Sequence, residues 1–165
     1  MIREATAADL ADIRAVINDG ALAYRGLIPD DRWREPYMSK GELQSEVTAG
    51  VEFSCCVDGG EIVGVMGIQD MGPVVLIRHA YVRTAVRRQG LGAELLASLT
   101  QAVNKPILVG TWKAASWAVQ FYEKHGFKRL PDALARTLLE TYWDVPARQM
   151  EASVVLADRR FASKV

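Results

Sequence analysis

The chain has 165 residues, 50% of them hydrophobic and 24% charged, with 20 basic side chains against 20 acidic ones and a formal net charge of +0. That length suits one domain around one core, hiding roughly 70% of the surface of the unfolded chain. The composition excludes long disordered tracts, a general electrostatic pull on nucleic acid and, with no run near ~18 apolar residues, a membrane-spanning helix.

The start, MIREATAADLADIR, is charged from its third residue and lacks the apolar centre of a secretion signal, which points to the cytoplasm. Ile2 to Ala5 forms a short extended candidate. Thr6 follows as a helix N-cap with Asp9 three residues on, and Leu10, Ile13 and Ile17 recur at helical spacing until Gly20 stops the run. Tyr24 to Lys40, YRGLIPDDRWREPYMSK, has two prolines, several aromatics and no clean period, so a loop with short helical pieces is expected, before a brief helix over Gly41 to Ala49.

Val51 to Val57 and Ile62 to Gln69 read as a hairpin around DGGE, whose glycines accept the positive φ of a tight turn. The adjacent Cys55 and Cys56 fall in the first of these strands, where they face opposite ways and cannot readily join, which fits a reducing compartment. Val74 to Val82, VVLIRHAYV, is the third β-rich run. His79 within it and His125 are the only histidines, without metal-ligand spacing, so no metal is expected.

After the loop VRRQGLG, Leu91, Leu95, Leu99 and Val103 make the apolar stripe of an amphipathic helix. Ile107 to Trp112 is a strand, Ala114 to Lys124 a helix closed by Gly126, and residues 128 to 148 mix helical periodicity with a stop at Pro146. Met150 to Ala157 returns as a final apolar strand, which could pair across a homodimer. This order predicts an α/β fold with a mixed sheet and helices on its faces.

The loop carries the chemistry. A strand leading through basic residues into a helix start presents unpaired amides and about half a positive charge to an anion, and the forks of Arg87 and Arg88 suit phosphate oxygens. Three phosphate loops compete, against the plain alternative of a solvated basic turn. GLGAEL lacks the third glycine of the dinucleotide fingerprint, and Gly92 is followed by Ala93 and Glu94 where a nucleoside triphosphate loop needs Lys and then Ser or Thr. The third candidate fits: Arg87, Gly90 and Gly92, between VLIRHAYV and a helix, resemble the acyl coenzyme A loop of the GNAT superfamily of N-acetyltransferases. FYEKHGF, Phe121 to Phe127, is similar to the second signature of that superfamily, about thirty residues on.

The resemblance covers Ile2 to about Arg129 and implies a single domain over 1–165 with a mostly antiparallel central sheet, splayed beside VVLIRHAYV into an acyl-CoA cleft. It implies acetyl-CoA as cosubstrate and transfer by direct attack of a primary amine, on a small molecule or peptide; nucleic acid and membrane are not expected as partners. Tyr81 and Val82 would offer backbone groups to the pantetheine arm, and Arg87, Arg88, Gln89, Gly90, Leu91, Gly92 and Ala93 would hold the diphosphate. Tyr122 stands where the family's general acid stands; from spacing alone it could equally be a core tyrosine at a helix end. Many relatives carry Asn where this chain has Ala115, leaving Ser116 either to replace that pantetheine contact or to cap the helix. Leu76 occupies a position where some relatives have a catalytic Glu, so the base is open between His79, otherwise a packed strand histidine, and a water chain. Tyr24, Arg25, Trp33 and Tyr37 are candidates for the acceptor lid or for simple packing on the sheet. A noncatalytic acyl-CoA-binding regulator is the rival function.

Overall fold

Strand, helix and turn follow one another from the first residues of the computed structural model, which describes residues 1–162. The last positions of the domain expected over 1–165, residues 163–165, lie outside the described residues. The elements are β1 (Ile2–Glu4), α1 (Leu10–Ala21), α2 (Lys40–Thr48), β2 (Val51–Asp58), β3 (Glu61–Asp70), β4 (Val75–Val82), α3 (Leu91–Ala102), β5 (Ile107–Trp112), α4 (Ser116–Lys124), β6 (Lys128–Arg129), α5 (Asp132–Tyr142), α6 (Ala147–Glu151), β7 (Ser153–Ala157) and α7 (Arg159–Ala162). This is the mixed α/β architecture expected, grouped in two compact units: Met1–Asp70 with Ile77–Asn104, and Met71–Leu76 with Lys105–Val165.

In the first unit the strands lie in the order β1-β2-β3-β4. β2 and β3 form an antiparallel hairpin from Val51↔Gln69 to Asp58↔Glu61, with a register shift at Cys56/Val57. Gly59 and Gly60 turn it with φ of 57° and 83°, the left-handed pair that a two-residue turn matching the strand twist requires. α1 opens behind a reciprocal cap of Thr6 and Asp9 and buries Ile13, Val16, Ile17 and Ala21. Ile13, Val16 and Ile17 join Leu43 of α2 and Val51, Phe53, Cys55 and Val65 of the hairpin in one cluster. Burying each large aliphatic side chain contributes about 1.5–3 kcal/mol. Alternation along β2 sends Cys55 into that cluster and Cys56 toward Gly64, near Leu95 of α3; both thiols are free.

Two glycines of this unit mark close approaches. Gly20, expected to stop α1, lies inside it: the helix runs on to Ala21 and tightens into a single 3-10 turn over Leu22–Tyr24. A Cβ at Gly20 would lie 2.8 Å from the Tyr81 ring, so the glycine is there for contact rather than for termination. Gly67 of β3 faces the Arg78 carbonyl, which a Cβ would approach to 2.7 Å. The next residue, His79, has φ 56° and breaks the regularity of β4.

In the second unit β5, β7 and β6 lie in that order, with β7 antiparallel to both neighbours (Leu108↔Ala157 and Lys128↔Ala157). The final strand lies between β5 and the two-residue β6, which pairs with it at Leu156 and Ala157, and it starts at Ser153 rather than Met150. Pro146, read as a stop, is instead the N-cap of α6, accepting from the amides of Gln149 and Met150. A proline's fixed φ suits a helix start as well as the residue after an end. β6 has two residues, too few for a period to show. α5 packs Ala135, Leu138 and Leu139 on Leu108, Val155 and Ala157.

The contrast between glycines gives a test. Gly67→Ala should lower stability by about 1–3 kcal/mol through backbone displacement, whereas Gly41→Ala, in α2 with nothing within 4 Å of its added Cβ, should raise it. Urea unfolding of both variants measures this; equal midpoints would show that the Gly67 approach is relaxed at no cost.

Candidate active site

β4 hands over to the glycine loop through a series of fixed points. The Arg83 amide donates to the Val63 carbonyl at 2.8 Å and its Nε to the Ile62 carbonyl at 2.9 Å. Thr84 then donates twice to one oxygen of Asp19, from its amide at 2.6 Å and its hydroxyl at 2.8 Å. Arg87 reaches back to the Gly20 carbonyl at 3.2 Å. The last turn of α1 therefore holds the loop's entry, and Arg87, expected to grip an anion, is partly engaged in that hold.

Beyond this anchor the backbone turns left-handed twice, at Arg88 (φ 65°) and Gly90 (φ 81°). Left-handed φ at a residue with a Cβ is uncommon and gathers at functional sites. Gly90 is the N-cap of α3 and supplies no side-chain cap, so the first-turn amides at Leu91, Gly92 and Ala93 have no side-chain acceptor. Arg88 and Gln89 are exposed, and the Arg88 guanidinium makes no hydrogen bond or ion pair among the described residues. The loop thus offers oriented amides, a helix dipole and one available guanidinium, the set that binds an anion.

The aromatic candidates come together around Tyr81. Its ring meets Tyr24 edge-on at 6.1 Å, Tyr24 meets Tyr37 at 6.0 Å, and Trp33 stacks on Tyr37 at 5.7 Å. Burial, followed by the neighbouring Tyr24 and Tyr37 hydroxyls, pushes the Tyr81 phenol well above its ordinary pKa, so it stays neutral and serves as a hydrogen-bonding group. Arg25 lies over Trp33 at 5.7 Å and pairs with Glu35. Asn18 of α1 pins the far end, exchanging hydrogen bonds with the Met38 amide at 2.7 Å and carbonyl at 3.0 Å. All four acceptor candidates, Tyr24, Arg25, Trp33 and Tyr37, belong to this one assembly.

Beside it stands His79. In a regular strand Arg78 and His79 would point to opposite faces, yet both reach Glu46 of α2: Arg78 as an ion pair at 3.7 Å, His79 through Nε2. The left-handed φ of His79 makes this possible, at a conformational cost of about 1–3 kcal/mol. Arg78 is steadied further by Gln69 at 3.2 Å, and the imidazole lies over Phe53 at 6.3 Å. Burial alone would raise the Glu46 carboxyl, but the His79 hydrogen bond and the charges of His79 and Arg78 outweigh it and hold the group below the ordinary glutamate value.

In the second unit, Tyr122 is buried in the last turn of α4, edge-on to Phe121 at 5.1 Å and Phe127 at 5.5 Å. FYEKHGF is a helix-ending motif: the Phe127 amide donates to the Tyr122 carbonyl and the left-handed Gly126 to the Glu123 carbonyl, with Phe127 covering Tyr122. That fixes the tyrosine's orientation from its own neighbours in sequence. Ser116 is not the cap of α4; Ala115 holds that place without a side-chain bond, and Ser116 is exposed.

Sequence reasoning missed Asp19 and Glu46. Asp19 meets Thr84 across 65 residues and Glu46 meets His79 across 33, and neither carboxylate belongs to a local pattern.

Residues 15–138 match the profile of the family described as an acetyltransferase (GNAT) domain. No curated protein matches the sequence. Among solved structures, the fold is similar to PaiA N-acetyltransferase from Thermoplasma acidophilum in complex with coenzyme A, at 17% identity over 96% of this chain and 97% of that one, TM-score 0.71. A GNAT family acetyltransferase from Elizabethkingia anophelis with acetyl-CoA bound is 17% identical over 96% of each chain, TM-score 0.61. The ribosomal-protein-alanine N-acetyltransferase from Brucella melitensis is 18% identical over 96% of this chain and 98% of that one, TM-score 0.64.

The anchor at Asp19 is testable without any ligand. Asp19→Ala removes both acceptor bonds to Thr84, so trypsin should cut after the exposed Arg87 or Arg88 roughly tenfold faster, equivalent to about 1.4 kcal/mol of easier opening. Mass spectrometry of timed digests reads the site, and an unchanged rate would mean that the loop is held by something else.

Proposed function

Because the chain belongs to the GNAT acetyltransferase family, with the family profile spanning residues 15–138, we propose that it moves the acetyl group of acetyl-CoA onto a primary amine by direct attack. The observation that carries this reading is the anchored loop with left-handed Arg88 and Gly90, opening into an uncapped helix start. There the amides of Leu91, Gly92 and Ala93 take the diphosphate, with Arg88 and Gln89 at its edge and Arg87 bracing the loop from behind. The pantetheine arm runs along the last residues of β4, where Tyr81 and Val82 supply backbone groups, and Ser116 offers a further hydroxyl. A backbone donor near Val82 polarises the thioester carbonyl, the position where negative charge develops.

The chemistry needs two proton movements. An alkylammonium, pKa near ~10.4, costs about 4–5 kcal/mol to deprotonate at neutral pH, and a thiolate with pKa ~8.5 leaves better when protonated. Tyr122 gives its phenolic proton to the departing sulfur. The neutral amine nitrogen bonds the carbonyl carbon, the C–S bond breaks, CoA leaves as the thiol, and the surplus proton of the acetylated nitrogen restores the Tyr122 phenol. Tyr24, Arg25, Trp33 and Tyr37 surround the acceptor, whose class is a small-molecule or peptide amine. The whole of 1–165 works as one such domain, in the cytoplasm; among the described residues no helix is long and apolar enough to cross a membrane.

Incubation with acetyl-CoA and a panel of amines, with free thiol monitored, tests the reading. Thiol release that depends on the amine supports it. Calorimetric binding of acetyl-CoA without release on any amine would favour a regulator, and no binding would remove the loop's assigned role. Tyr122→Phe should lower kcat by about 100-fold with little change in the acetyl-CoA Kd, and an unchanged kcat would exclude the acid role.

A further inference from the structure

The transferase reading leaves the proton of the acceptor ammonium without a named destination, and the kink in β4 supplies one. We propose that Glu46 holds His79 in the tautomer protonated at Nε2, so that Nδ1 is the atom that takes the proton from the acceptor ammonium. The inference rests on that transferase reading and adds the base and its positioning residue.

The argument begins with donors and acceptors. An ionised carboxylate can only accept, so the Nε2 that contacts Glu46 must carry hydrogen. In a neutral imidazole the lone pair is then on Nδ1, and His79 makes no hydrogen bond or ion pair through that atom with any described residue. Glu46 is kept ionised because His79 and Arg78 both face it, and Gln69 holds Arg78 in place. The charged group that meets the imidazole is Glu46 from α2, whose other oxygen pairs with Arg78 of β4, while β2 contributes the Phe53 ring. A purely structural tie between α2 and β4 would be met by Arg78 and Glu46 alone, without a left-handed histidine. That strained residue stands two positions before Tyr81, around which the acceptor aromatics gather.

The step balances. The ammonium N–H bond breaks and its proton bonds to Nδ1, giving a free amine and an imidazolium whose charge faces Glu46. The amine attacks the thioester, Tyr122 protonates the departing sulfur, the surplus proton left on the acetylated nitrogen restores the Tyr122 phenol through solvent, and the imidazolium returns its own proton to solvent. Acetylated amine, thiol and one proton are the products.

Long-range proton–nitrogen spectra of the full-length, 15N-labelled protein read the tautomer directly, with His79→Gln separating the His79 signals from those of His125. The neutral His79 ring should be the Nε2–H form almost throughout. In Glu46→Gln the Nδ1–H form should appear. Thiol-release kinetics form the second arm: Glu46→Gln should lower kcat/KM about tenfold or more with the acetyl-CoA Kd unchanged, and Glu46→Gln with His79→Gln should lose little beyond His79→Gln alone. A wild-type ring protonated at Nδ1 overturns the inference, as do variants with unchanged kcat/KM on an amine that the wild type acetylates; in that last case the transferase reading stands. Absence of thiol release by the wild type on every amine defeats the transferase reading itself, and the proton-acceptor role with it.

Discussion

A strand of L-residues alternates its side chains between two faces, and β4 departs from that rule at His79. The departure brings β4 close to Gly67, where an added β carbon would lie 2.7 Å from the Arg78 carbonyl at the kink. Once made, it turns Arg78 and His79 to the same carboxylate and gives the strand a new phase for its final residues. Tyr81 then meets α1 at Gly20 and Tyr24 at the helix's exit. A regular β4 would turn Arg78 and His79 to opposite faces. The energetic logic is that of a strained functional element: a cost concentrated at one residue, offset by packing and ion pairing around it.

The end of α1 is the second point on which the first unit turns. In consecutive residues it presents Asp19 to Thr84, the Gly20 carbonyl to Arg87 and the bare Gly20 Cα to Tyr81. The helix continues without a break into the 3-10 turn that carries Tyr24. One helix end thus fixes both the anion loop and the first of the aromatic residues. That explains why a glycine, which weakens a helix interior by about 1 kcal/mol relative to alanine, persists one residue before the end of α1.

Local chemistry was legible before any coordinates. FYEKHGF contains its own helix-ending geometry, with glycine at the left-handed position and a phenylalanine on either side to pack on the tyrosine. DGGE could hardly be other than a hairpin turn. The glycine loop announced a helix start with unpaired amides. What escaped was set by distance along the chain: Asp19 and Glu46 are ordinary acidic residues of helices until the fold places them opposite Thr84 and His79. Gly20 and Pro146 were misread for a related reason. Both are helix terminators in isolation, and a tertiary contact in one case and a helix start in the other decided their use. The two residues of β6 carry no period, so only their pairing with Leu156 and Ala157 defines them as a strand.

The two unforeseen carboxylates share a physical role. Asp19 lies near a loop fitted for an anion, where its charge opposes the ligand, and Glu46 lies partly out of water, where ionisation is penalised. An amide in either place would relieve the charge, but an amide has two ends and can present a donor as easily as an acceptor. A carboxylate accepts through both oxygens, so the two Thr84 donors and the His79 Nε2–H each have only one way to point. In each place the carboxylate fixes orientation: of the loop entry at Thr84, and of the imidazole ring at His79. For Glu46 the neighbouring Arg78 completes the arrangement, placing a cation beside the carboxylate oxygen that His79 does not use.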